Sequence, residues 1–259
     1  MSVGAAAGAP IMTLEGVARS FGGIRAVDNC SFEVQPGLIT GLIGPNGAGK
    51  TTVFNLITGF LSAEHGSIRL RGRELLGLPP HEVERLGVAR TFQHLRLWGK
   101  MSVLENVLLG CPTPAGENVL GLFLRPGAVR VEEARARSRA MEVLEIFGLA
   151  AHAHAFAEDL AYPEQKLLSM ARIFATDAPV LLLDEPTSGL DGESLRRIVP
   201  IVRRLVDHGK TVLLIEHNME LISELSDRVV FLHQGQVLAA GPPAEITRDP
   251  ALTEIYFGV

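Results

Sequence analysis

The stretch LITGLIGPNGAGKTT, from Leu38 to Thr52, constrains this chain more tightly than any other. Its first part is continuously apolar, as a strand covered on both faces must be, and a glycine-rich turn leads directly into a helical pattern from Lys50. The turn matches the phosphate-loop pattern from Gly44 to Thr51, in the strand-to-helix setting which that pattern requires. Gly47 and Gly49 permit backbone turns that aim N–H groups at phosphate oxygens. Lys50 supplies a point charge for the outer phosphates, and Thr51 offers a hydroxyl to Mg²⁺. A strand buried on both faces belongs to a parallel sheet flanked by helices.

The rest of the chain agrees. IMTLEGVARSF and NCSFEV alternate like half-buried strands, GSIRLRG reads as another strand, and short helices are expected at PHEVERLG and MSVLENVLLG. In the second of these, Ser102 and Glu105 have capping-box spacing. From about Arg130 to Asp177 the pattern is helical without a strand, and Gly148 is a stop for the first long helix. Strands then return at PVLLLDE, TVLLIEH, RVVFLHQG and QVLAAG, separated by the helical ESLRRIVPIVRRLVDHG and MELISELS. That alternation predicts an α/β fold with an inserted helical lobe.

With 259 residues, 47% of them hydrophobic, the chain can bury the core of one large domain with a subsidiary lobe. Its apolar runs are far shorter than the roughly 18 residues a membrane span needs. MSVGAAAGAP has neither the basic region nor the long apolar core of a secretory signal, so residues 1–10 are expected to be a loose arm on a cytoplasmic chain. Cys30 and Cys111 fit no metal spacing and no disulfide framework. A net charge of −5 argues against a broad grip on nucleic acid or anionic lipid. The most basic segment, VRVEEARARSRAMEVLEIFG, interleaves arginines with Glu132 and Glu133 in the manner of a solvated amphipathic helix.

Candidate chemistry gathers at strand ends. VLLLDE stops abruptly in Asp184 and Glu185, at the rim where parallel sheets bind ligands, so Asp184 can reach a Mg²⁺ shell and Glu185 can face an attacking water. His217 closes TVLLIEH at the same rim; a histidine there is by itself more often structural than catalytic. Gln93 follows a short strand and says little alone, and Phe21 can either stack on a base or fill a core. The segment EDLAYPEQKLLSMAR, from Glu158 to Arg172, opens a helix with Pro163 in its first turn and Glu164 at the positive end of the dipole.

Phosphate loop, glutamine, helical lobe, LLLDEPTSGLD and then a histidine: this order resembles the ATP-binding subunits of ABC transporters over nearly the whole chain. The resemblance implies an α/β P-loop NTPase core with a mostly parallel sheet and an antiparallel β portion. It implies a single ABC ATPase domain over 11–259, with the core in 11–92 and 178–259 and the helical lobe over about 93–177. Phe21 would stack on adenine, while Gly44, Asn46, Gly47 and Gly49, with Lys50, Thr51 and Thr52, would hold the phosphates. Thr51, Gln93 and Asp184 would serve Mg²⁺. Glu185 would be the general base, His217 the γ-phosphate contact, Gln93 the sensor of the membrane partner, and Asp191 the link across an ATPase dimer. The phrasing of GVARTFQHLRLWGKMSVLENVLLG and GQVLAAGPPAEITRDPALTEIYFG is similar to the ATPases of branched-chain amino acid uptake systems; importers of urea, amides or other hydrophobic amino acids are built similarly.

Against that family one motif is altered. Its lobe carries Leu-Ser-Gly-Gly-Gln or Leu-Ser-Tyr-Gly-Gln at a helix start and holds the γ-phosphate of ATP bound to the other subunit. Here the five positions are Leu160, Ala161, Tyr162, Pro163 and Glu164. A hydroxyl is lost at Ala161 and an N–H at Pro163, and a carboxylate replaces an amide at Glu164. The expected enzyme is therefore a Mg²⁺-dependent ATPase whose own phosphate loop is competent but whose lobe serves a partner poorly. It would pair with a different ATPase rather than with itself. The resemblance further implies permease subunits, a substrate-binding protein acting through the complex, no nucleic acid, and a peripheral position on the cytoplasmic face of the inner membrane. The alternative is a nucleotide-gated subunit with little hydrolysis.

Overall fold

The computed structural model describes residues 9–93, 95–112 and 126–257. Most of the expected arm at 1–10 lies outside them. The described chain falls into two units, one of 1–90, 179–188 and 202–259 and the other of 91–178 and 189–201.

In the first unit the buried run of the phosphate-loop strand becomes β3 (Ile39–Ile43), every residue of which is buried. It lies in a six-stranded sheet of order β10-β9-β3-β8-β7-β6, with β6 Val88–Arg90, β7 Val180–Asp184, β8 Thr211–Ile215, β9 Arg228–His233 and β10 Gln236–Gly241. Strands β6 to β9 run parallel to β3 and its neighbours, because each is reached by a crossover long enough to reverse the chain. β10 is the exception, antiparallel to β9. Only Gln234 and Gly235 separate the two, both at positive φ (47° and 81°), which is the geometry of a tight hairpin turn. A second sheet, antiparallel and of order β2-β1-β4-β5, uses β1 Met12–Phe21, β2 Ile24–Val34, β4 His65–Leu70 and β5 Arg73–Glu74. Burial in β1 and β2 alternates as their sequences do, with Met12, Leu14 and Val17 inward.

Helix α1 (Lys50–Ile57) follows the glycine turn, and Val53, Phe54, Leu56 and Ile57 fix it in the same core as Leu42, Leu182 and Ile215. Each such fully buried side chain stabilises the fold by roughly 1.5 to 3 kcal/mol relative to exposure. Register decides where the chemistry goes: Asp184 pairs with Ile215, and Leu42 pairs with Ile215 on its other side. Three adjacent parallel strands thus end together, and the phosphate loop, Asp184 with Glu185, and Glu216 with His217 emerge from one sheet edge.

The second unit is helical, as its sequence predicts. Among its described residues, α3 (Val103–Leu108), α4 (Pro126–Ile146) and α5 (Tyr162–Ala175) bury Leu104, Val107, Leu144, Leu168 and Phe174, and the buried Phe147, just past α4, meets Phe174 edge to face at 5.7 Å. Both halves of the expected capping box form at Ser102 and Glu105. The long helix stops two residues before Gly148, whose φ of +68° a longer side chain would resist. The other α-helices among the described residues are α2 (Pro80–Leu86), α6 (Gly192–Asp207), α7 (Met219–Leu225), α8 (Pro243–Arg248) and α9 (Pro250–Phe257).

Candidate active site

The phosphate loop is shaped by close approach. Gly44 has a φ of +148°, and a Cβ there would lie 1.9 Å from the carbonyl oxygen of Leu232, so only glycine passes. Lys50 opens α1 from a buried position, and its Nζ donates to the carbonyls of Gly44 at 2.7 Å and Pro45 at 3.0 Å. Burial pushes the Lys50 ammonium below its usual range, while the charges of Glu185 and Asp184 oppose that shift. Asn46, Gly47 and Thr51 are exposed, and Thr52 is half-buried.

At the end of β7 Asp184 is buried, and its Oδ2 accepts from Arg90 Nη2 at 2.7 Å. Arg90 also donates to Asn55 Oδ1 at 2.6 Å and lies over the Phe54 ring at 5.3 Å, so it ties the end of β6 to α1 and β7. Glu185, one residue on, has a φ of +49°, an uncommon conformation for a side chain with a Cβ and one that clusters at functional sites. Its N–H bonds to the carbonyl of Ile215 at 3.0 Å, which holds the turn. His217 Nε2 stands 2.6 Å from Glu185 Oε1.

Glu216 is buried and accepts from the N–H of Thr187 at 2.9 Å, its hydroxyl at 2.6 Å and the N–H of His217 at 3.3 Å. Burial pushes its carboxyl above the usual range; the Thr187 and His217 bonds oppose this, and the nearby Glu185 charge adds to it. The phenol of Tyr256, on α9, donates to the carbonyl of His217. Phe21 ends β1 with 43% of its surface exposed and the Arg19 guanidinium 5.1 Å from its ring, so it is available for stacking rather than lost in the core.

In the second unit, Gln93 is exposed in a bend. Leu160 is buried, and Ala161 occupies the N-cap position of α5 in an extended conformation with no side-chain capping bond. Pro163 sits in the first turn, and Glu164 bends back so that its Oε2 accepts the N–H of Ala161 at 3.2 Å while Oε1 lies 3.7 Å from His152. The carboxylate thus caps its own helix. Asp191 accepts the N–H of Ser194 at 2.8 Å, capping α6, and that bond first of all holds its carboxyl below the usual range.

Sequence reading therefore brings Lys50, Asp184, Glu185 and His217 to one edge but misses Arg90, Thr187, Glu216 and Tyr256. A charged residue ending a buried strand, as in VAR or LLIEH, is the signal that could have found Arg90 and Glu216. Nothing local marks Tyr256. Thr51 and Asp184 offer hard oxygen donors that suit Mg²⁺, which is usually held by one or two protein oxygens together with substrate phosphates. The described residues contain no group of three or more His, Cys, Asp or Glu poised to hold a metal.

The family model described as ABC transporter matches residues 27–188. The high-affinity branched-chain amino acid transport ATP-binding protein LivG of Salmonella typhimurium is 42% identical over 250 residues, covering 96% of this chain and 98% of LivG. BraF of Pseudomonas aeruginosa, which carries the same description, is 41% identical over 251 residues, covering 96% of this chain and 98% of BraF. A crystal structure of the ADP conformation of an ATP-binding cassette from an ABC transporter superposes with a TM-score of 0.84 at 32% identity, covering 97% of this chain and all of the other.

Proposed function

This chain belongs to the family of ABC transporter ATP-binding subunits, and from that membership we propose that it powers an importer of branched-chain or other hydrophobic amino acids by hydrolysing ATP. The substrate class rests on the likeness to LivG and BraF. The observation that carries hydrolysis is the Glu185–His217 contact beside the phosphate loop.

Phe21 stacks on the adenine, and the N–H groups from Gly44 to Thr52 with the Lys50 ammonium bind the phosphates and take up charge as the outer phosphoryl group transfers. Asn46 lies in that loop. Glu185 orients the attacking water and receives its proton, while His217 holds the carboxylate and contacts the γ-phosphate. Thr51 and Asp184 would hold Mg²⁺, a role the family resemblance also gives Gln93, and the ion would supply positive charge to neutralise the outer phosphates. Gln93 also senses the permease. The grouping of the chain into two units supports a lobe near 93–177 within a core of 11–92 and 178–259, except that 189–201, assigned to the core, groups with the helical unit. Replacing Glu185 with Gln should leave ATP bound without turnover; hydrolysis at the normal rate would remove Glu185 from this role.

The partner is a second, different ATPase, joined through Asp191 and seated with permease subunits and a substrate-binding protein at the cytoplasmic face of the membrane. No described helix is long and apolar enough to cross a membrane by itself. What favours a heterodimer is the start of α5: Ala161 offers no hydroxyl and Pro163 no N–H, and Glu164 turns back to accept the Ala161 N–H. Hydrogen bonds to a charged group contribute about 1.5 to 3 kcal/mol each, so two fewer weaken the closed site by roughly 3 kcal/mol or more. Restoring the motif with Ala161→Ser, Pro163→Gly and Glu164→Gln should raise ATPase turnover of the assembled complex. An unchanged rate would defeat the weak-site reading.

A further inference from the structure

The backbone of His217 is held from both sides. Its N–H donates to Glu216 Oε2 at 3.3 Å, and its carbonyl accepts the hydroxyl of Tyr256. The other oxygen of Glu216 takes both the N–H and the hydroxyl of Thr187, two residues after Glu185. Together with the 2.6 Å contact between His217 Nε2 and Glu185 Oε1, these bonds form a closed circuit from Glu185 through Thr187 and Glu216 to His217 and back.

That circuit has a physical reason to exist. The His217 side chain is 41% exposed, so packing alone does not fix its ring, and its direction depends on where the backbone places the Cα–Cβ bond. Tyr256 is itself anchored: its ring meets the buried Phe231 ring edge-on at 6.2 Å. Burial first, and the Glu216 charge second, push its phenol up, so it stays protonated and able to donate at neutral pH.

We propose that Tyr256 and Glu216 are positioning residues for hydrolysis, with the terminal helix α9 bracing the His217 carbonyl so that the imidazole meets the Glu185 carboxylate. The inference rests on the roles given above to Glu185 and His217. It adds a support supplied by a helix distant in sequence from every site motif.

The test is steady-state ATPase kinetics on the full chain assembled with its co-expressed transporter subunits, using Tyr256→Phe, Glu216→Gln, His217→Ala and the Tyr256→Phe/His217→Ala pair. Tyr256→Phe keeps the ring on Phe231 and removes only the hydroxyl. It should lower kcat by about three- to tenfold, the effect of losing one hydrogen bond on a rate, with KM for ATP changed by less than about twofold. Glu216→Gln keeps an acceptor for Thr187 but turns an amide donor toward the His217 N–H, and should lower kcat at least as far. In the His217→Ala background, Tyr256→Phe should cause no further loss. The inference is overturned if Tyr256→Phe retains full kcat while His217→Ala does not, or if the two losses multiply. Full kcat in His217→Ala would instead bring down the role given to His217, and this inference with it.

Discussion

Arg90→Met isolates the buried ion pair at the end of β6. The arginine and Asp184 side chains are 5% and 4% exposed and meet at 2.7 Å, so water screens neither. Methionine keeps much of the stem that lies near Phe54 but leaves the Asp184 carboxylate buried without this cation, and removes the 2.6 Å bond to Asn55. Removing one member of a buried pair costs about 3 to 5 kcal/mol, chiefly through the desolvated charge left behind. At about 2 to 4 °C per kcal/mol for a chain of this size, the melting temperature should fall by roughly 6 to 20 °C. Adding Asp184→Asn removes the uncompensated charge, so Arg90→Met/Asp184→Asn should recover most of the loss. The assay is thermal unfolding of the purified full chain followed by circular dichroism. A loss under about 1 kcal/mol, or a double variant no more stable than the single one, would refute the reasoning that the charge, rather than the shape, of Arg90 holds this corner.

Three further outcomes can be checked on the same protein. The folded chain holds the Glu216 proton to higher pH than the unfolded chain, whose carboxyl titrates near 4.5, so this group's stabilising contribution is complete below that value and is lost as pH rises through the raised one. Glu216→Gln should therefore gain in melting temperature relative to the wild type as pH rises from 4.5 to neutral; a pH-independent difference would contradict this. Burial pushes the Cys30 thiol up to about 12 and that of Cys111 upward as well, so the native chain at pH 8 should react with a disulfide reagent only as fast as it opens. Rapid modification of both thiols in the folded protein would show that they are not enclosed. Gly44→Ala, whose methyl would meet the Leu232 carbonyl, should abolish ATP binding in equilibrium titration, and retained affinity would show that the loop can give way.

The parts of this molecule legible in its sequence are those where one local rule decides. ITGLI and VLLLD are buried because they are almost wholly apolar, and the turn GPNGAGK is fixed by Gly44 and Gly49, where a Cβ would strike backbone carbonyls. Ser102 and Glu105 cap α3 because three-residue spacing suffices. What stays hidden depends on pairing at a distance. Arg90 meets Asp184 only because β6 lies beside β7, a fact of strand order that no window of residues contains. The same holds for the Tyr256 hydroxyl on His217. At Glu164 the sequence reveals a carboxylate where an amide is expected, but not that it turns back to cap its own helix. That choice of direction follows from the extended Ala161, whose N–H is presented to it, and from His152 nearby.

The left-handed backbone at Glu185 sets this residue at odds with the stability of its own fold. A side chain held there costs about 1 to 3 kcal/mol, and glycine would relieve the strain. Replacement by glycine at this position would thus relieve strain and at the same time remove the carboxylate proposed above as the general base. Selection for robustness alone would drift toward a protein that still folds but, on the role proposed for Glu185, no longer turns over ATP. Only continued demand for turnover keeps the strained glutamate in place, so a lineage released from that demand should lose this residue before it loses the fold.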